Sequence, residues 1–179
     1  MSKNTEKTML ITGATGHQGG SSLRHLRERG FSVRAVTRDP AQPKARQLAG
    51  PRTEVVCGDL NDPASITRAL EGIYGVHSVQ DSKTGFDREV RQGHNLADAA
   101  NRSRTNHFVY SSVASADRKT GIPHFDSKFQ IEEHIRNLGF RYTIFRPVFF
   151  MENFMNMRDG IDQGTFSMPL KPTQTYLKF

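Results

Sequence analysis

The chain has 179 residues, of which 35% are apolar and 24% charged, with a formal net charge of +7. That length suits one domain with a buried core, the composition is not that of a disordered chain, and no apolar run approaches the ~18 residues of a membrane span. The basic residues are scattered through RHLRERG, TRDPAQPKARQ and NRSRTNH, without a basic-region helix, zinc-finger spacing or RNP-like aromatic pair. The charge therefore reads as a solvated surface that attracts a polyanionic ligand, and direct nucleic-acid binding is not expected.

The first ten residues, MSKNTEKTML, lack the apolar stretch of a signal peptide and run straight into a strand, so a cytoplasmic location is expected. TMLIT, Thr8 to Thr12, is that first strand. A glycine-rich turn follows, then a helix from Gly19 to Arg29 that Gly30 stops. Phe31 to Arg38 reads as the second strand, and Pro40 and Pro43 bracket a turn before a short helix through Leu48. TEVVCG is the third strand, with Cys57, the only cysteine, expected as a small buried hydrophobe at its end. Asp62 caps the next helix and Pro63 takes its first position. Ile73 to Gln80 is the fourth strand, weakened in its middle by Gly75. A helix over Phe86 to Arg102 should place Val90, Leu96, Ala97 and Ala100 toward the sheet. His107 to Ser112 is the fifth strand, with Tyr110 pointing into the packing layer. Asp126 to Asn137 is a helix carrying Phe129, Ile131, Ile135 and Leu138 along one side, and Arg141 to Pro147 is the sixth strand.

Strand and helix alternating at this spacing predict an α/β fold, a Rossmann-type doubly wound parallel sheet of order 3-2-1-4-5-6 with helices on both faces. Residues 1–150 would form this nucleotide-binding domain. From 151 to 179 a short helix or ordered loop gives way to Gly- and Pro-punctuated sequence, which packs as a strand or loop or begins a further substrate or partner region.

The chemistry starts at ITGATGHQGG. Gly13, Gly16 and Gly19 stand between a strand and an amphipathic helix: the first for a sharp turn, the second to bare the backbone to a pyrophosphate, the third for close helix packing. The amides of the first helical turn then face the phosphates, with Thr12, Thr15, His17 and Gln18 as polar groups around the mouth. No Gly-Lys-Ser/Thr follows, which excludes a P-loop. An NAD-selective site ends its second strand in an acid, whereas here the end reads AVTRDP. Arg38 offers a guanidinium fork to a 2′-phosphate and Lys44 lies near it in sequence, while Asp39 argues the other way; NADP(H) is expected over NAD(H). Asp59, after the third strand, is either an acceptor for the adenine amino group, with the Leu60 backbone beside it, or a loop and capping residue. His77, His94, His107 and His134 lack a ligand-like arrangement with Cys or Asp, so no metal site is expected.

ITGATGHQGG, VTRDP, GDL, EVRQG, HFVYSSV, SKFQIEEHI and RPVFFMENF together resemble the NmrA-like family, an atypical branch of the short-chain dehydrogenase/reductase superfamily; the resemblance runs from Thr8 to at least Leu170. It implies an NAD(P)-binding protein with a small C-terminal domain, most of which would lie beyond this chain. It also implies one of two uses. One is a redox-sensing or regulatory module with a protein partner such as a transcription regulator; the other is an NAD(P)H-dependent reductase of quinones or related carbonyl compounds. The superfamily's chemistry uses a tyrosine proton donor, a lysine four residues later and a serine. Lys128 matches the lysine, His124 stands where the tyrosine would be, and Ser111 and Ser112 match the serine region. The resemblance thus makes His124, Lys128 and Ser112 the catalytic candidates. It also makes Lys128 a ribose ligand and puts Pro147 on the nicotinamide side, with Phe149, Phe150 and Asn153 near it or in a core junction.

Overall fold

The computed structural model of the protein describes residues 4–165. Its strands are β1 (Thr8–Thr12), β2 (Ser32–Thr37), β3 (Thr53–Cys57), β4 (Gly75–Ser78), β5 (His107–Ser111) and β6 (Tyr142–Phe145). All pair in parallel, in the order β3-β2-β1-β4-β5-β6. Its helices are α1 (His17–Glu28), α2 (Pro43–Arg46), α3 (Pro63–Ala69), α4 (Phe86–Arg102), α5 (Pro123–Asn137) and α6 (Arg158–Asp162). This is the doubly wound Rossmann-type sheet that the alternation predicts.

Adjacent residues of β1 serve opposite faces because side chains alternate along a strand. Leu10 joins Val76, Phe108 and Tyr110 under Ile66 of α3, Leu96 and Ala100 of α4, and Ile131 and Ile135 of α5. Ile11 joins Val33 and Ala35 under Leu23 of α1. The connection after β1 leads to one side of the sheet and that after β3 to the other, so a crevice opens between the carboxyl ends of β1 and β4.

The details correct several expectations. β4 begins at Gly75: a Cβ there would lie 2.8 Å from Met9 Cε and 3.1 Å from the His107 carbonyl, so this glycine lets both neighbouring strands approach. Val90 is half-buried in a groove with His94 and Gln130 on α5; the buried place near the start of α4 belongs to Glu89. Cys57 is exposed, because it ends an edge strand at the open carboxyl side of the sheet, and its thiol donates to the Arg38 carbonyl at 3.5 Å. α5 begins at Pro123 rather than Asp126, its proline suiting the first helical position.

Compact units comprise the residues through Pro147 and those from Val148. In the second, a 3-10 stretch over Met151–Met157 precedes α6, a helix with no counterpart in the sequence reading. Residues 166–179, read as a strand, a loop or the start of a further region, lie outside the described part.

Burial pushes the His77 and His94 imidazoles below their ordinary value of 6.5, and the neighbouring His134 charge pushes His94 further. A histidine whose pKa is depressed by folding binds more protons when unfolded, so stability rises with pH across its titration. The denaturation midpoint is therefore expected to hold above pH 6.5 and to fall as the solution is acidified below it. A midpoint that is flat from pH 8 to 5.5 would contradict this.

Candidate functional site

The turn after β1 is built by backbone sterics. Gly13 sits at φ +64°, a left-handed conformation that suits glycine, and its carbonyl accepts from Gly16 N at 3.0 Å. Gly19 is constrained by the turn itself rather than by a strand: a Cβ would come within 2.9 Å of Ala14 N and closer still to the Gly13 carbonyl. Gly16 is different. It occupies the N-cap of α1 at φ −95°, ψ 175°, extended backbone open to any residue, and a Cβ there would meet only the Gly13 carbonyl oxygen, at an ordinary 3.4 Å. Nothing inside the protein requires a glycine at position 16, yet the position faces the crevice. No side chain caps α1, so its first-turn amides and positive dipole end are available to an anion. Thr12 lines the crevice, and its hydroxyl also ties two strands together. It donates to Val79 O at 2.8 Å and accepts from Val79 N at 2.7 Å, pinning the end of β1 to that of β4.

The crevice encloses about 410 Å³, within the range of small-molecule sites. Gly13, Thr15, Gly16, His17, Gln18 and Gly19 line it from the turn, Thr37 and Arg38 from the end of β2, and Gly58, Asp59 and Leu60 from beyond β3. Thr12 and Val36 also contribute, and the far wall is Val79, Gln80 and Asp81 after β4, with Thr84 and Gln92 from the stretch before α4 and from α4 itself. Sequence reasoning missed this last group, although the rule that ligands sit at the carboxyl ends of such strands points to it. Gln80 is buried; its amide donates to Ser78 Oγ at 2.8 Å and its carbonyl oxygen has no partner among the described residues.

Arg38 is exposed, and no ion pair among the described residues engages its side chain. Asp39, the competing acid, folds back onto its own turn and accepts from Ala41 N at 2.9 Å. Lys44 is not among the lining residues. Asp59 Oδ1 accepts from Asn61 N at 2.9 Å and from Asn61 Nδ2 at 2.7 Å, so this residue shapes its loop and lines the crevice at once. The Asn61 backbone amide holds its carboxyl below the usual range; burial opposes this, and the Asn61 side chain and the fields of Arg38 and Arg88 add to it. The Leu60 carbonyl accepts from Asn95 Nδ2 at 2.9 Å, which ties that backbone to α4.

His124, Lys128, Ser112 and Pro147 are not on the crevice wall. His124 is exposed on the first turn of α5, its ring 4.5 Å from that of Phe125. Lys128 Nζ donates to Glu89 Oε1 at 2.8 Å. Ser112 Oγ donates to Glu132 Oε1 at 2.5 Å, whereas Ser111 Oγ accepts from Gln18 Nε2 at 2.5 Å and so reaches the lining. The Pro147 carbonyl accepts from Ala114 N at 2.9 Å. Glu132 is fully buried and also accepts from Arg136 (2.6 Å) and twice from Arg146 (2.8 and 2.6 Å). Burial opposes its ionisation, but the hydrogen bonds of Arg146, Ser112 and Arg136 outweigh that and hold its carboxyl below the ordinary value. Tyr110 is fully buried, and desolvation, with the charges of Glu89 and Glu132, raises its pKa well above 10.0, so the phenol stays neutral. Among the described residues no three His, Cys, Asp or Glu side chains are grouped to hold a metal; His94 and His134 stack at 4.0 Å, with His134 on Asp98.

A parallel sheet whose switch-point crevice is floored by a bare glycine turn and an uncapped helix end defines a Rossmann-type protein of the dinucleotide-binding class. More narrowly, the chain belongs to the NmrA-like family, whose pattern matches residues 5–179. It is 32% identical, over 82% of its length, to an NmrA-like family domain-containing oxidoreductase, FrzB, of Cladobotryum sp., covering 48% of that protein. The structure of the NADPH-dependent quinone oxidoreductase QOR2 of Escherichia coli with NADPH superposes with a TM-score of 0.76 at 28% identity, over 87% of this chain and 54% of that one. NmrA, a negative transcriptional regulator solved with NADP, gives 0.69 at 29% identity, over 79% and 45%. The chain thus spans about half the length of the relatives it matches. Among the described residues no helix is long and apolar enough to cross a membrane.

Proposed function

We propose that this chain is the NADP(H)-binding part of an NmrA-like protein of oxidoreductase type. The observation that carries the reading is Gly16, whose missing side chain leaves the crevice floor bare where the protein's own packing would accept a larger residue. Gly13, Thr15, Gly16, His17, Gln18 and Gly19 hold the pyrophosphate, Arg38 the 2′-phosphate, and Asp59 with Leu60 the adenine edge. Lys128 and Pro147 serve the nicotinamide riboside. The bound dinucleotide would supply a hydride. For a reductase, His124 would deliver the proton and Ser112 orient the substrate oxygen. The likeness to an oxidoreductase and to a quinone oxidoreductase supports this use.

A second reading, a dinucleotide sensor acting on a protein partner such as a transcription regulator, is favoured by His124 in the tyrosine's place and by Ser112 engaged with Glu132. Calorimetric titration with NADPH and NADH tests the shared claim: the folded protein should bind NADPH, and no binding of either at millimolar concentration overturns it. NADPH absorbance followed across a quinone panel bears on the first reading, since turnover that is lost in His124→Ala would mark the reductase.

Arg38→Ala is expected to weaken NADPH about 10- to 100-fold, the worth of a charge-assisted hydrogen bond. NADH affinity should stay within about twofold. Equal losses for both cofactors would defeat the selectivity argument.

A further inference from the structure

Glu89 lies in the first turn of α4, at the sheet edge where the crevice opens, and is fully buried. Glutamate is almost never fully buried unless paired, and both oxygens of this one are engaged by α5. Oε1 accepts from Lys128 Nζ at 2.8 Å and Oε2 from Ser127 Oγ at 2.6 Å. The helices come close enough because α4 carries Gly93, where a Cβ would lie 2.6 Å from the Ile131 side chain. Gln92, three residues after Glu89 and so on the same face of α4, lines the crevice, which places the ion pair beside the lining. The Lys128 side chain keeps 12% of its surface exposed. Its ammonium has three donors, of which Glu89 takes one.

A buried ion pair contributes little net stability compared with apolar packing, but it holds a long side chain in one orientation. We propose that Glu89 is the positioning residue that aims Lys128 at the hydroxyls of the nicotinamide ribose, an inference resting on the Lys128 role given above. Glu89 itself touches no cofactor. It fixes the lysine's stem and supplies its counter-charge, so the remaining N–H groups are presented to a neutral diol without conformational search.

The test titrates NADPH and adenosine 2′,5′-bisphosphate, which lacks the nicotinamide riboside, into the wild type, Glu89→Gln, Lys128→Met and the double variant. The fluorescence of bound NADPH is recorded alongside. Glu89→Gln should weaken NADPH about tenfold and lower its fluorescence enhancement, with bisphosphate affinity held within about twofold. The double variant should bind NADPH no more weakly than Lys128→Met alone, because both changes remove one device. Glu89→Asp, which keeps the charge, should recover part of the signal, and it stands in for the glutamine variant if that one does not fold. Losses that multiply in the double variant, an equal loss of bisphosphate affinity, or full NADPH affinity in Glu89→Gln would each overturn the inference. Wild-type protein that binds neither ligand overturns the dinucleotide reading itself, and this inference with it.

Discussion

Gly16→Val is expected to reduce NADPH affinity at least about 100-fold, or ~2.7 kcal/mol, while the protein remains folded. The two halves of this expectation come from one geometry. The backbone at Gly16 is extended, at φ −95°, and a Cβ would meet only the Gly13 carbonyl oxygen at 3.4 Å, so the interior accepts the change. A poorer N-cap costs about 1 kcal/mol. The branched side chain, however, stands on the crevice floor where backbone amides would meet linked phosphates. Gly19→Ala is the contrasting control. Its Cβ collides with the turn's own backbone, within 2.9 Å of Ala14 N, so it should lower the melting temperature as well as affinity. Calorimetry with NADPH and thermal melting distinguish the two variants. If Gly16→Val bound NADPH as tightly as the wild type, the turn would not be the docking point and the proposed function would fail.

Glu132→Ala should be the most damaging single change to stability away from the glycine turn. Glu132 is fully buried, and around it converge Ser112 from the end of β5, Arg136 one turn on in α5, and Arg146 just after β6. Arg146 extends the network to Asp117 at 3.1 Å. Removing the carboxylate leaves the buried Ser112 hydroxyl without its acceptor and takes from Arg136 and Arg146 their buried partner, although both guanidinium groups reach solvent and Arg146 keeps Asp117. Breaking a fully buried pair costs ~3–5 kcal/mol; because both arginines here reach solvent, which screens them, the cost is expected at the low end, about 3 kcal/mol, which lowers the melting temperature of a domain this size by roughly 10 °C. Exchanging Glu132 and Arg146 together for methionine and leucine should recover much of the loss, since apolar replacement of a whole buried pair is close to neutral. A Glu132→Ala melting temperature within about 2 °C of wild type, less than 1 kcal/mol, would show that the network contributes little. Because the folded Glu132 carboxyl is held below its ordinary 4.5, the stability it adds is present above pH 4.5 and is lost as the pH falls through the lower folded value.

How far the sequence could be read depended on the range of the interactions involved. β1, α1, α4 and the strand order follow from hydrophobic period, glycine placement and the handedness of crossovers, all properties of neighbouring residues or of the chain's chirality. The turn residues line the crevice together because they are adjacent in the chain, whereas Arg38 joins them through the parallel pairing of β1 with β2. Cys57 was misread because TEVVC looks like a buried run until β3 is known to be an edge strand. A start at Asp126 leaves His124 out of the helix, whereas Pro123 takes the first helical position and brings His124 onto the first turn of α5.

The sequence alone determined the parallel sheet and the glycine bend, since steric limits on φ and side-chain periodicity act over a few residues. Tertiary structure decided which polar groups meet. Gln18 reaches Ser111 across 93 residues, Lys128 reaches Glu89 across 39, and Ser112 reaches Glu132 across 20. Two buried glutamates cannot be told from exposed ones by residue type, because the cation that pairs with each is brought within hydrogen-bonding distance only by the packing of α4, α5 and β6.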